Sequence, residues 1–186
     1  MRPSLIALAL FLAGPAWADS PSPYAELAGR PIRALSPEQQ AGLLAGRGMG
    51  LALAAELNGW PGPVHVLELA DDLGLTPEQR AATEALVAAM QAAARRLVAR
   101  LVAEEQALDH AFRERGITPA GLATHTARIG ALQGELRAVH LHAHLDQAAI
   151  LGPEQLAAYE RLRGYAAAAA RQPAEGGGRH HGHPRP

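Results

Sequence analysis

The chain has no cysteine, which removes disulfides, thiolate metal ligands and cysteine nucleophiles at once. It has no lysine either: all seventeen of its basic residues are arginine, so Schiff-base chemistry is excluded. Serine stops at Ser36, which leaves the central region without a nucleophile for a Ser-His-Asp arrangement. No glycine-rich phosphate loop follows a strand, because no strand is apparent. The chain is therefore not expected to be an enzyme. Seventeen basic against eighteen acidic residues give a formal net charge of −1, which argues against a nucleic-acid partner with its need for a basic face. Past the N-terminus, no apolar run approaches the ~20 residues that cross a bilayer.

What is present begins with an export signal. Arg2 supplies a positive start, residues 5–13 form a short uncharged apolar run, and Ala16-Trp17-Ala18 is an A-x-A cleavage site. Residues 1–18 are read as a signal peptide, with no membrane insertion after cleavage. Residues 19–34, with Pro21, Pro23, Gly29 and Pro31, are expected to be an extended leader. Residues 35–171 are rich in alanine and leucine at helical spacing and are read as one helical domain. Residues 172–186 carry a glycine triplet and three prolines, and too little apolar surface to offset ordering, so a disordered tail is expected.

Helix starts are written as caps. Ser36-Pro37-Glu38-Gln39 and Thr76-Pro77-Glu78-Gln79 place a hydroxyl at the N-cap, proline at the first helical position and glutamine at the third. Thr118-Pro119 and Gly152-Pro153-Glu154-Gln155 mark two more starts. The first helix is expected to run from Pro37 to the break at Asn58-Gly59-Trp60-Pro61-Gly62-Pro63, where Trp60 would pin the loop to the core. A short helix follows over residues 65–73. A long helix from Pro77 to about Arg115 carries Leu86, Met90, Leu97, Leu101, Leu108 and Phe112 as its apolar stripe. A second over residues 119–150 repeats Leu122, Ile129, Leu136, Ala143 and Ile150 every seven residues. Three residues separate the two, so they must form an antiparallel hairpin. The fold class is all-α: a long hairpin with shorter N- and C-terminal helices. Gly134, Ala138, Leu141, Leu145 and Ala148 give the second long helix another apolar side, opposite the seam. That side predicts a further partner, and a homodimer is the economical one.

Candidate ligands are histidines. His140 and His144 stand four apart on one side of a helix, where two imidazoles can share an ion. His65 and Glu68, or Asp109 and His110, could complete the set, while His142 points elsewhere. His125 falls in the seam and is expected to be buried with a partner. His180, His181 and His183 in the tail could collect zinc, nickel or copper at modest affinity. No cofactor is required by anything in the sequence; zinc or nickel are the expected ions. On the first hairpin helix Arg95, Arg96, Arg100, Arg113 and Arg115 could combine with Leu141 and Leu145 of the second into a cationic, apolar surface for protein clients.

Leu75-Thr76-Pro77-Glu78-Gln79 resembles the LTxxQ signature of the Spy/CpxP family of periplasmic proteins. Leu151-Gly152-Pro153-Glu154-Gln155 resembles its second copy, with glycine in place of threonine, and Leu35-Ser36-Pro37-Glu38-Gln39 resembles an earlier echo. The motif residues are Leu75, Thr76 and Gln79, with Leu151 and Gln155. The resemblance implies a curved all-helical homodimer in the periplasm. It also implies one of two roles: an ATP-independent chaperone for unfolded clients, or a heavy-metal sensor or zinc-binding protein of metal resistance; a purely structural partner of a membrane-bound sensor protein is a third reading, which predicts neither activity. The early histidine pair and the late His-x-x-x-Met pattern of the metal sensors are missing here.

Overall fold

The computed structural model describes residues 22–30 and 32–165; the expectations for the signal peptide, and for the tail with His180, His181 and His183, lie outside these residues. The described residues form helices α1 Pro37–Leu44, α2 Leu53–Glu56, α3 Pro63–Glu68, α4 Pro77–Arg113, α5 Pro119–Ile150 and α6 Pro153–Arg163, and no strand. The fold is all-α, and α4 and α5 are the long antiparallel pair around which the rest is arranged.

The caps work as their chemistry requires. Ser36 and Thr76 accept from the backbone N–H of Gln39 and Gln79, whose side chains return to the cap N–H, and Thr118 accepts from Gly121. The hairpin core is Ala94, Val98 and Leu101 of α4 against Ile129, Leu132 and Leu136 of α5. The α5 seam lies where the seven-residue repeat puts it. The α4 seam is rotated from the leucine stripe: small Ala94 and Val98 occupy the centre and let the helices approach, while Leu97 and Leu108 pack at its flank. Phe112 and Leu122, at the far tip, are 52% and 38% exposed because nothing covers the bare end of the hairpin.

The N-terminal part departs furthest from expectation. Within the segment read as an extended leader, Ala25–Gly29 form a 3-10 helix and Ile32 is buried. Arg33 meets Asp109 late in α4, whereas Gly46 lies against the Gln91 backbone. The N-terminal segment therefore runs back along α4, antiparallel to it. The single helix expected from Pro37 to Asn58 is broken after Leu44. Gly46 (φ 71°) and Gly50 (φ 84°) take left-handed conformations there, as does Met49 between Gly48 and Gly50. A second core lies at the other end of the molecule, where Val66, Leu73, Leu151 and Tyr159 join α3 and α6.

Candidate functional site: a buried carboxylate and imidazole cavity

Two side-chain arrangements gather at the end of the hairpin where α3 and α6 pack. The first is made by the two motif glutamines. Gln79 Nε2 donates to Gln155 Oε1 at 2.8 Å, and Gln155 Nε2 donates back to Gln79 Oε1 at 2.9 Å. The second amide hydrogens go to Ile150 O (3.0 Å) and Leu73 O (3.2 Å), in each case on the chain leading into the other motif. Each Oε1 also accepts the N–H of its own cap, Thr76 or Gly152. Both amides are thus fully used, in a pseudo-twofold clasp between the starts of α4 and α6. Gly152 lacks the hydroxyl of Thr76, yet its N–H still reaches Gln155. Gln39 of the early echo makes only its own capping box and stays outside the clasp.

The second arrangement is centred on Glu56, a buried acid at the end of α2. Its Oε1 accepts from the Tyr159 hydroxyl (2.7 Å), Arg163 Nε (2.9 Å) and the Tyr165 hydroxyl (3.0 Å). The Tyr159 hydroxyl accepts in turn from Gly62 N–H. Burial first of all, together with the Glu56 carboxylate, pushes the Tyr159 phenol well above its ordinary range and keeps it a neutral donor. Glu56 Oε2 is buried without a hydrogen-bond partner and lies 3.8 Å from His144 Nδ1. That Nδ1 donates to the Trp60 carbonyl at 2.9 Å. His140, one turn earlier, is 3% exposed, and its Nε2 is buried with no partner. Burial, and then the neighbouring His144, lower its pKa and favour the neutral ring.

A cavity of ≈ 340 Å³ joins these groups, with Glu56, His65, His140, His144, Met49 and Met90 in its wall. Glycine permits the close approach of backbone to rings. A Cβ on Gly48 would sit 3.3 Å from His140 Nδ1, and one on Gly62 would meet Glu56 Oε2 at 3.0 Å and His144 Cε1 at 3.1 Å.

The structure sorts the expected site residues. His140, His144 and His65 share this cavity, while Glu68 turns outward and holds His65 Nδ1 at 2.8 Å. Asp109 pairs with Arg33 and Arg113 instead. It stands nineteen residues beyond Met90 on α4, roughly 28 Å at the helical rise, and His110 beside it is exposed. His142 is exposed, and His125 is half-buried against Glu104 at 2.6 Å. Arg95, Arg96 and Arg100 are exposed, with Arg100 3.7 Å from Glu135 across the hairpin; Leu145 is exposed and Leu141 half-covered. Trp60 does not pin its loop. Its ring is 44% exposed and its carbonyl does the anchoring, while Pro61, Gly62 and Pro63 are the buried part of the turn. Glu56, Tyr159, Arg163 and Tyr165 gave no sign in sequence, since their partners lie about a hundred residues away along the chain. Among the described residues, no three His, Asp or Glu side chains are arranged to hold a metal ion by themselves.

No curated protein and no solved structure matches the chain. A family model does, that of the LTXXQ motif family protein, over residues 64–163. Its span takes in both glutamines of the clasp and the whole hairpin between them, more than half of the 186 residues, and the chain belongs to this family, which is of Spy/CpxP type.

Proposed function

We propose that the protein works in the periplasm as an ATP-independent, chaperone-like accessory of envelope stress that holds unfolded polypeptide. One observation carries this reading. Leu44, Met49, Leu53, Leu57, Trp60 and Val64 are each 39–57% exposed, all on the N-terminal segment that packs over the hairpin. Large apolar side chains concentrated in this way leave surface for a partner rather than for water. Exposed Arg95 and Arg96 on α4 add cationic contacts for clients of mixed character. The apolar side of α5 with Gly134, Ala138, Leu141, Leu145 and Ala148 is proposed to close a homodimer, which leaves the N-terminal segment for clients.

Light scattering from reduced α-lactalbumin, without nucleotide, tests the holding role. The full chain is expected to suppress aggregation at about equimolar ratio, and Leu53→Ser/Leu57→Ser/Val64→Ser to lose most of that effect while keeping its helical circular dichroism. Aggregation unaffected by the unaltered chain would sink the proposal.

A second reading, a metal-binding sensor or buffer in metal resistance, is favoured by the orphaned Nε2 of buried His140, which shares its cavity wall with His144. Buried polar atoms without partners are uncommon and point to a missing ligand. Calorimetry on the chain carrying His180→Ala/His181→Ala/His183→Ala reports on the cavity alone. Binding lost in His140→Ala/His144→Ala would support this reading, and no binding would remove it.

A further inference from the structure

The chain contains three methionines, and apart from Met1 both of them, Met49 and Met90, are in the wall of the cavity that holds His140 and His144. Met49 is held there by an unusual backbone. With φ 42° it is one of two non-glycine residues among those described in a left-handed conformation, and its thioether packs directly over Gly42. Strain of this kind persists only where the surroundings over-determine it, and it concentrates at functional sites. Met90 reaches the cavity from α4, one residue before the Gln91 backbone that receives Gly46.

The side chains in the wall that could donate to an ion are the thioethers of Met49 and Met90 and the imidazoles of His65, His140 and His144, of which His65 Nδ1 is already held by Glu68 and His144 Nδ1 by the Trp60 carbonyl. Glu56 carries three donors on Oε1 and its charge is met by Arg163, while its Oε2 has no hydrogen-bond partner. Thioethers are soft ligands that select copper(I) over zinc or nickel.

We propose that this cavity binds a soft monovalent ion, copper(I), through the thioethers of Met49 and Met90 and the imidazoles of His140 and His144. The proposal rests on the metal-binding reading and names the ion class of the same site. Unbranched methionine side chains have the rotational freedom to close on an ion from the cavity wall.

The test uses the full chain with His180→Ala/His181→Ala/His183→Ala. Copper(I) is titrated without oxygen against a chromogenic chelator, and zinc and nickel are titrated separately. One copper(I) per chain is expected. Met49→Leu and Met90→Leu, which keep side-chain volume, are each expected to weaken copper(I) by at least about tenfold, a loss that even an outer partner of a metal ligand causes. Selenomethionine labelling gives a readout independent of folding in the variants: selenium must appear as a neighbour in the copper X-ray absorption spectrum. Copper bound without selenium neighbours, or with unchanged affinity in both leucine variants, overturns the proposal. Zinc or nickel held at His140 and His144 in preference to copper(I) overturns it too, but leaves the metal-binding reading standing. No ion bound by this chain removes both.

Discussion

Gln155→Leu, Gln79→Leu and the double substitution together measure what the motif clasp contributes. In the intact clasp each glutamine takes part in four hydrogen bonds, two to the other glutamine and two to backbone. A part-buried bond of this kind contributes about 0.5–1.5 kcal/mol net, so each single substitution is expected to cost roughly 2–6 kcal/mol. The two bonds between the amides are lost in either single variant and only once in the double. The double variant should therefore be less damaged than the sum of the singles by about 1–3 kcal/mol. Urea denaturation followed by far-ultraviolet circular dichroism gives all four stabilities, provided the slope with denaturant stays constant. Independent sites add to within about 0.5 kcal/mol. Additivity to that level would mean that each glutamine serves only its own helix cap, and the clasp would lose its energetic meaning.

Three further outcomes follow from the same geometry. Glu56→Ala leaves Arg163 and two phenols facing a void and should cost about 3–5 kcal/mol in urea denaturation, as removal of one partner of a buried pair does; a cost near zero would mean that water enters freely. Gly62→Ala forces Glu56 Oε2 and His144 Cε1 apart and should lower stability by about 1–3 kcal/mol, read as a fall in the thermal midpoint; an unchanged midpoint would deny the tight approach. Glu78, at the start of α4, is held below its ordinary pKa of 4.5 by its own backbone N–H and by the Thr76 hydroxyl. Its contribution is therefore present above pH 4.5 and lost as pH falls through the lowered value. The gap in urea midpoint between the unaltered chain and Glu78→Gln should be open at pH 7 and shrink as pH falls below 4.5, and a gap independent of pH would refute it.

Helix starts were legible because caps are local. Ser36, Thr76, Thr118 and Gly152 each act within a turn of the proline that follows, and α5 ends at Ile150 as its period indicates. The rest failed where the deciding contact is distant. Gly46, Gly48 and Gly50 sit in an alanine- and leucine-rich run that favours helix, and only the approach of Gly46 to Gln91 and of Gly48 to His140 explains the break. The α4 stripe held at Leu101, with Leu97 and Leu108 at the flank of the core, but missed Ala94 and Val98, because leucine dominates any hydrophobic count whereas a close helix contact is made by small residues. His140 and His144 were visible through their spacing. Glu56 was not, since one glutamate at the end of an ordinary helix resembles every solvated one until Tyr159 and Arg163 are brought to it. The glutamines were readable as capping residues, but their mutual pairing belongs to three dimensions.

The clasp and the Glu56 network tie the first helices to the last one, and this constrains the order in which the molecule can be made. Gln79 meets a partner 76 residues later, and Glu56 waits for Arg163, 107 residues on. A chain that emerges N-terminus first as it is made can form the α4/α5 hairpin from neighbouring segments. The Glu56 network cannot close until α6 has followed. Throughout that interval the apolar N-terminal segment is unlatched, and a chain cut short before α6 would keep its hairpin and leave Glu56 without Tyr159 and Arg163.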